Sequence, residues 1–316
     1  VARRCRETPS RRNAEISLHQ PVVRIQSVLY EPTDGSLDRY LRGVTQAVAL
    51  LSDSRASSVD LCFADCSPVR TFDEARRAGA TARFVASGGR NLHYRFLDAN
   101  LGHGGGQNVL FEQRGDADFV LLLNPDVCAS PRLLVELLSA MEDPSIGIAE
   151  ARQIPLENQK DYDRDTGDTS WASGACSLLR ASVLDEIGGF DTASFFLHCD
   201  DVDLSWRVRL TGRRVVLVPN ARVFHDKRIS VGGDYLASDV ERYQSALATV
   251  LLAWKYSRED IAEAGLGWLE SSGEQLLLDA AAEFRRRSMA GELPDQIDAE
   301  HQVGQFQTYA FADVRF

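Results

Sequence analysis

The sequence predicts an α/β fold: a Rossmann-like parallel sheet flanked by helices, continued by a helical C-terminal extension. Three observations carry this. The run Phe119–Leu123 is apolar throughout and passes straight into Asn124-Pro125-Asp126, as expected of a strand buried on both faces. Strand-like and helix-like segments alternate with short links through the first half, the pattern of a parallel sheet. Beyond residue 239 the apolar spacing is helical to about residue 289.

Residues 21–30 (PVVRIQSVLY) are β-rich and form the first expected strand, ending at Tyr30-Glu31-Pro32. Leu37, Leu41, Val44, Val48 and Leu51 recur every three or four positions, which predicts an amphipathic helix over 37–51. Residues 59–64 (VDLCFA) form a second strand ending on Asp65, and 93–97 a third. The glycine-rich stretch 100–108 leads into a helix through about Arg114. After the strand at 119–123, Ser130 is placed to cap a helix over 131–141, with Pro131 at its first position. The pattern loosens after 146–151, and 155–170 is polar and without period, a loop long enough to be functional. A strand is expected over 171–180, a short helix over 182–187 stopped by Gly188-Gly189, and a helix over 198–210. Short strands follow at 213–218 and 222–225, separated by Pro219-Asn220. Helix resumes at 239–254, and residues 292–316 resist assignment. Three units are expected: a basic tail (1–20), an α/β domain (21–230) and a mainly helical extension (231–316).

With 316 residues, 44% apolar and 26% charged, the chain has the composition of a globular protein with a large core. Its net charge of −11 argues against a nucleic-acid surface. An anionic substrate would need a metal or local basic groups to offset that field. The six cysteines form no CxxC pair, and Cys62, Cys128 and Cys176 lie in or beside apolar stretches. This suits a reduced, cytoplasmic protein without a cysteine zinc site. No run reaches the roughly 18 apolar residues of a membrane span, and the five arginines among residues 1–12 precede no apolar leader core.

Ligands of open α/β sheets gather at the carboxyl ends of the strands, which makes Asp126 a site candidate by position. The glycine-rich stretch is neither GxGxxG nor a Walker loop. His103-Gly104-Gly105-Gly106 matches the oxyanion motif of esterases, but that reading needs a GxSxG elbow and the chain has none. The remaining readings are an anion-binding helix N-terminus or tight packing of that helix on the sheet. Asp200, Asp201 and Asp203 stand at a predicted helix start, where the helix dipole favours acids. Three carboxylates in four residues exceed what a cap needs, and they repel unless a cation or a proton offsets them. His225 ends a short strand.

In order along the chain, Asn100 to Asn108 (NLGHGGGQN), Asn124-Pro125-Asp126, Ser173-Gly174-Ala175, the GGFD of 188–191, the DDVDL of 200–204 with Arg207, and Pro219 to His225 resemble the motifs of inverting family-2 glycosyltransferases. The similarity is to the rhamnosyltransferase-like and galactofuranosyltransferase-like branch, and it covers about residues 22–227. It implies a GT-A fold, a Rossmann-like mixed sheet flanked by helices. It also implies a hexosyltransferase-class enzyme that moves a sugar from a dTDP- or UDP-linked donor to an acceptor hydroxyl, in polysaccharide or glycoconjugate synthesis. Asp126 matches the last aspartate of the family's DxD, with Asn124 standing at the first position, and His225 matches a second ligand to Mn2+ or Mg2+. Asp65 matches the aspartate that holds the base, and Tyr30 lies where the first strand meets the nucleotide. Asn100, Gly102, Gly106 and Asn124 complete the donor side.

Asp201 matches the general base, and Asp200 stands where the family has glutamate, so the choice of base between Asp200 and Asp201 stays open. Trp171, Ser173 and Gly174 are expected to face the acceptor, Trp171 either stacking on a sugar or packing in the core. Two alternatives to the transferase are a nucleotide-sugar-binding protein without catalysis and a nucleotide-sugar hydrolase. For the extension, Val240, Leu247, Val250, Leu251 and Trp254, with Tyr243 beside them, make one apolar face. The mixed charges around it predict packing on protein rather than on an anionic membrane, and leave a homodimer open.

Overall fold

The computed structural model describes residues 20–54, 57–157, 160–227, 236–308 and 310–311. The expected basic tail lies outside the described residues except for Gln20. In chain order the elements are β1 (Val22–Leu29), α1 (Asp34–Ser54), β2 (Ser58–Asp65), α2 (Glu74–Ala86), β3 (Asn91–Phe96), α3 (Gly102–Phe111), β4 (Phe119–Leu123) and β5 (Val127–Ala129). There follow α4 (Leu133–Ala140), β6 (Ile146–Ile154), β7 (Cys176–Arg180), α5 (Ala181–Ile187), α6 (Asp200–Leu210), β8 (Arg214–His225), α7 (Asp239–Lys255), α8 (Glu259–Ser271) and α9 (Gln275–Ala290).

One sheet runs in the order β3-β2-β1-β4-β7-β6-β8-β5. The pairs β1–β2, β2–β3 and β1–β4 are parallel, the Rossmann-like half that strand–helix alternation predicts. β7 is antiparallel to both neighbours, and β5 is antiparallel to β8, so the sheet is mixed. Only residues 124–126 separate β4, in the middle of the order, from β5 at its edge. The sheet therefore curls until the β8–β5 edge comes over the carboxyl end of β4, and this carries His225 to Asp126.

Several expected elements differ. α2 has only Ala80 and Phe84 buried, too sparse an apolar face to stand out by period. The glycines of 102–106 are helical rather than a loop before a helix. Gly106 needs to be glycine because a Cβ there would sit 2.6 Å from Val28 Cγ2 on β1, so the tight-packing alternative holds for this stretch. α4 starts at Leu133 after Arg132, two positions beyond Pro131, and Ser130 accepts from Leu133 N–H through its main-chain carbonyl. Residues 171–175 are irregular, and the strand begins at Cys176. His198 and Cys199 have φ of 64° and 56°, left-handed values that no helix admits, so α6 opens at Asp200. β8 runs continuously past Pro219-Asn220. Its pairing with β6 skips from Val218 to Arg222, so the proline occupies a bulge where no ladder N–H is needed.

The C-terminal helices pack on the chain's own core. Leu247, Leu251, Tyr256, Leu266 and Phe284 share one apolar cluster with Val202 and Trp206 of α6, so this core crosses residue 230. The Trp206 and Tyr256 rings meet edge to face with centroids 4.7 Å apart. On the predicted face Leu247, Val250 and Leu251 are buried and Trp254 and Tyr243 are partly buried, while Val240 is exposed. Charge also ties the two parts. Lys255 Nζ lies 2.6 Å from Asp203 Oδ1 and 2.7 Å from Asp191 Oδ2, and Arg207 Nε donates to Asp203 Oδ2 at 2.8 Å. Asp203 is fully buried, so removing Lys255 would strand part of its charge. Lys255→Met is expected to cost about 3–5 kcal/mol in urea unfolding, and pairing it with Asp203→Asn should recover much of that loss. An unchanged midpoint in the single variant would refute the tie.

Candidate active site

A cavity of about 1460 Å³ opens between the carboxyl end of β4 and the C-terminal helices. Of the residues singled out from sequence, Tyr30, Asn100, Gly102, Asn124, Asp126, Trp171, Ser173, Gly174, Asp200, Asp201 and His225 all line it. Asp65 and Gly106 are the exceptions. Gly106 faces β1. Asp65 is fully buried, and its carboxylate accepts from the N–H groups of Ser67 (3.1 Å) and Thr71 (2.7 Å) and from the Tyr94 hydroxyl. With its oxygens taken by the turn after β2, Asp65 shapes the chain beside the cavity instead of facing it.

At the mouth of β4, the antiparallel pairing of Val127 with His225 sets Asp126 beside the imidazole. His225 Nδ1 lies 2.8 Å from Gln153 Oε1, and donating there leaves Nε2 as a lone pair. That nitrogen is 3.2 Å from Asp126 Oδ2. Two electron-rich atoms at this distance need a proton or a cation between them. Asp126 Oδ1 is buried with no hydrogen-bond partner. One carboxylate oxygen and one imidazole nitrogen suit Mn2+ or Mg2+. Among the described residues, no group of three or more His, Cys, Asp or Glu gathers around one point, so an ion here could draw on Asp126 and His225 only among those side-chain types described.

The three carboxylates of α6 each meet a different fate. Asp200 Oδ2 accepts from His103 Nδ1–H at 2.6 Å. Burial opposes charge on both groups. Their mutual attraction wins, holding Asp200 below the usual carboxylate range and raising His103 above the usual imidazole range. Asp203 is paired with Lys255 and Arg207, as described. Among the described residues, Asp201 has no cationic partner in contact: its Oδ2 accepts from Gly174 N–H at 2.9 Å and its Oδ1 from Val202 N–H at 2.9 Å. Burial, and then the charge of Asp200, push it up to about 6. A carboxyl group poised there can take a proton at neutral pH. Gly174 must be glycine for this contact, since a Cβ would lie 2.9 Å from His103 Cε1 and 3.4 Å from Asp201 Cβ.

Other motif residues build the cavity walls. Asn108 on α3 grips the GGFD turn in both directions, Nδ2 donating to Phe190 O at 2.9 Å and Oδ1 accepting from Phe190 N–H at 2.8 Å. Asn100 Oδ1 accepts from Gly102 N–H at 3.1 Å, turning the chain into α3. Trp171 is buried, meets Phe311 edge to face and carries Lys160 Nζ 4.3 Å from its ring centroid. Its ring thus packs in the wall and is not presented for stacking. His103 was visible in sequence only through the esterase-like HGGG. The one signal for it was the unbalanced acid run, which calls for a cation without saying where it lies.

Comparison with known proteins places this geometry. The fold is shared with GT-A glycosyltransferase structures: GalNAc-T7 crystallised with UDP, GalNAc and Mn2+ (TM-score 0.60, 10% identity, 90% of this chain and 57% of that one) and residues 1–349 of Staphylococcus aureus TarS (TM-score 0.51, 12% identity, 84% and 72%). Residues 159–233 match the family described as "Glycosyltransferase like family 2". An N-acetylglucosaminyl-diphospho-decaprenol L-rhamnosyltransferase of Mycobacterium tuberculosis is 31% identical over 182 residues, 43% of this chain and 59% of that protein. The Escherichia coli rhamnosyltransferase WbbL is 36% identical over 55 residues, 17% of this chain and 20% of that protein. The chain thus spans about three fifths of the mycobacterial relative it matches. Over part of its length the chain is thus similar to family-2 glycosyltransferases, rhamnosyltransferases among them.

The His103–Asp200 pair makes stability depend on pH. Asp200, with its lowered folded value, contributes fully above the ordinary 3.8 of aspartate, and His103, with its raised value, contributes fully below the ordinary 6.5 of histidine. His103→Gln is therefore expected to cost most between those limits, by about 3 kcal/mol. The gap to the native protein should narrow as pH rises through the folded value of His103. Urea melts across pH 4 to 10 check it, and a gap that widens toward alkaline pH would contradict the pairing.

Proposed function

We propose that the protein is an inverting glycosyltransferase that moves a sugar from a dTDP- or UDP-linked donor to an acceptor hydroxyl. The observation that carries this reading is Asp201, a partly buried carboxyl group held by Gly174 N–H in the same cavity as the Asp126–His225 pair. A nucleotide-sugar donor is what the family match suggests, and rhamnose is the sugar named for the relatives. Tyr30, half-exposed on the cavity wall, and Asn100, Gly102 and Asn124 form the donor side. Ser173 and Gly174 lie on the acceptor side, next to the carboxylates.

Asp126 and His225 would hold a divalent cation, with the donor's diphosphate completing its shell. Bound there, the ion would neutralise charge developing on the departing nucleoside diphosphate. Asp201 takes the proton of the acceptor hydroxyl as oxygen attacks the anomeric carbon from the face opposite the diphosphate, so the configuration inverts in a single displacement. Asp200, already ionised against His103, keeps its negative charge beside Asp201 and so keeps that group basic. Holding base, hydroxyl and anomeric carbon in line can supply several kcal/mol of the barrier. The free thiols of Cys62, Cys66, Cys128, Cys176 and Cys199 fit a reducing compartment such as the cytoplasm.

Two experiments test this reading. UDP and dTDP binding, followed by calorimetry with Mn2+, should weaken strongly on adding chelator, and Asp126→Asn should reproduce that loss without lowering the melting temperature by more than a few degrees. Equal affinity with and without chelator would sink the cation assignment. Asp201→Asn should lower transfer by about 10²–10⁴-fold with nucleotide affinity nearly intact. If Asp200→Asn is the dead variant and Asp201→Asn remains active, the base is the neighbouring carboxylate. Product release without acceptor, at the rate seen with it, would favour the hydrolase.

A further inference from the structure

The polar segment after β6 sends Lys160 back into the protein. Its side chain is 3% exposed, and that of its partner Glu150, on β6, is fully buried. Lys160 Nζ binds Glu150 Oε2 and donates to the carbonyl of Trp171 at 2.9 Å. Glu150 Oε1 in turn accepts from Ser173 N–H at 3.0 Å. The ammonium thus holds the carbonyl at one end of the Trp171–Ser173 turn and the carboxylate holds the N–H at the other. The next residue is Gly174, whose N–H donates to Asp201. Removing two full charges from water is costly. A turn needs no such pair to form, since its two main-chain groups would be satisfied by neutral partners.

We propose that Lys160 and Glu150 are a positioning pair for the general base, clamping the Trp171–Ser173 turn so that Gly174 N–H stays aimed at Asp201. This rests on Asp201 being the base. Neither residue touches Asp201, so both act through the turn and through the field of the ammonium. The groups that face Asp201 are Asp200 and the Cys199 thiol from the start of its own helix, His103 from α3, Gly174 from the turn and Lys160 from the segment behind it. Asp200 works to raise Asp201, while His103, Gly174 N–H and Lys160 work to lower it. Loss of Lys160 removes one lowering influence directly and loosens a second, the Gly174 bond.

The test is carboxyl-¹³C NMR on protein labelled at aspartate, with the Asp201 signal assigned by its loss in Asp201→Asn. In Lys160→Met the titration midpoint of Asp201 should move up from about 6, the Gly174 amide resonance should shift, and that amide should exchange faster. UDP and dTDP affinity in Mn2+ should be unchanged, and transfer at pH 6 should fall through kcat while the donor KM stays constant. If the single variant does not fold, Lys160→Met with Glu150→Gln leaves a neutral pair of similar shape and should show the same faster exchange at Gly174. A purely structural pair would lower the melting temperature and leave a folded variant's Asp201 midpoint and Gly174 amide where they are in the native protein, and that result overturns the proposal. Failure of the underlying reading looks different: Asp201→Asn would then transfer sugar at the native rate, whatever the NMR of Lys160→Met showed.

Discussion

Three carboxylates packed into the first turn of one buried helix are the constraint on which the rest of the molecule depends. Asp200 and Asp203 are buried and Asp201 between them is partly so, and three neighbouring carboxylates repel unless something offsets their charge. The chain answers each in its own way. Asp200 receives the imidazole of His103, Asp203 receives Lys255 and Arg207, and Asp201 receives main-chain N–H groups alone. The imidazole holds Asp200 below the usual carboxylate range, and Asp203 is paired on both oxygens. The third is left able to gain and lose a proton near neutrality. On the proposed reading, this contrast between neighbouring acids is what would make a helix start a reaction centre.

Each of these answers imposes a demand on distant parts of the fold. To deliver His103, α3 must lie close on the sheet and beside the 173–175 segment, and this is why its first turns are built of glycine. To deliver Lys255, the end of α7 must reach Asp203 on α6, and the C-terminal helices share an apolar cluster with α6. Those helices also form the far wall of the cavity, so one packing arrangement neutralises a buried acid and encloses the space in front of another. On the opposite wall, the short link from β4 to β5 forces the sheet to curl, and the curl brings Asp126 and His225 within 3.2 Å.

Much of this organisation was legible in the sequence, for local reasons. Apolar runs that end on aspartate marked β2 and β4, helical spacing marked α1 and α7, and the order of six short motifs marked the resemblance to family-2 glycosyltransferases. Where a local pattern was weak, the reading failed locally too. α2 buries too few side chains to show a period, and Pro219-Asn220 looked like a strand break because a bulge and a turn use the same residues. Residues 171–175 read as the start of the next strand, yet they are irregular, and Lys160 and Glu150 take main-chain groups of Trp171 and Ser173.

What the sequence by itself determined is which residue types were available and that the acid run at 200–203 needed compensation. Only the tertiary structure decided which group compensates which acid. The partners are far apart in the chain: His103 is 97 positions from Asp200, and Asp126 is 99 from His225. The physical reason is that charge interactions act through space, and over a few ångströms once water is excluded, whereas periodicity and propensity act along the chain. The same difference separates Asp65 from Asp126. Both end apolar strands and look alike in sequence, but a turn supplies donors that bury the first, and the curl of the sheet leaves the second with one oxygen unsatisfied and facing a histidine.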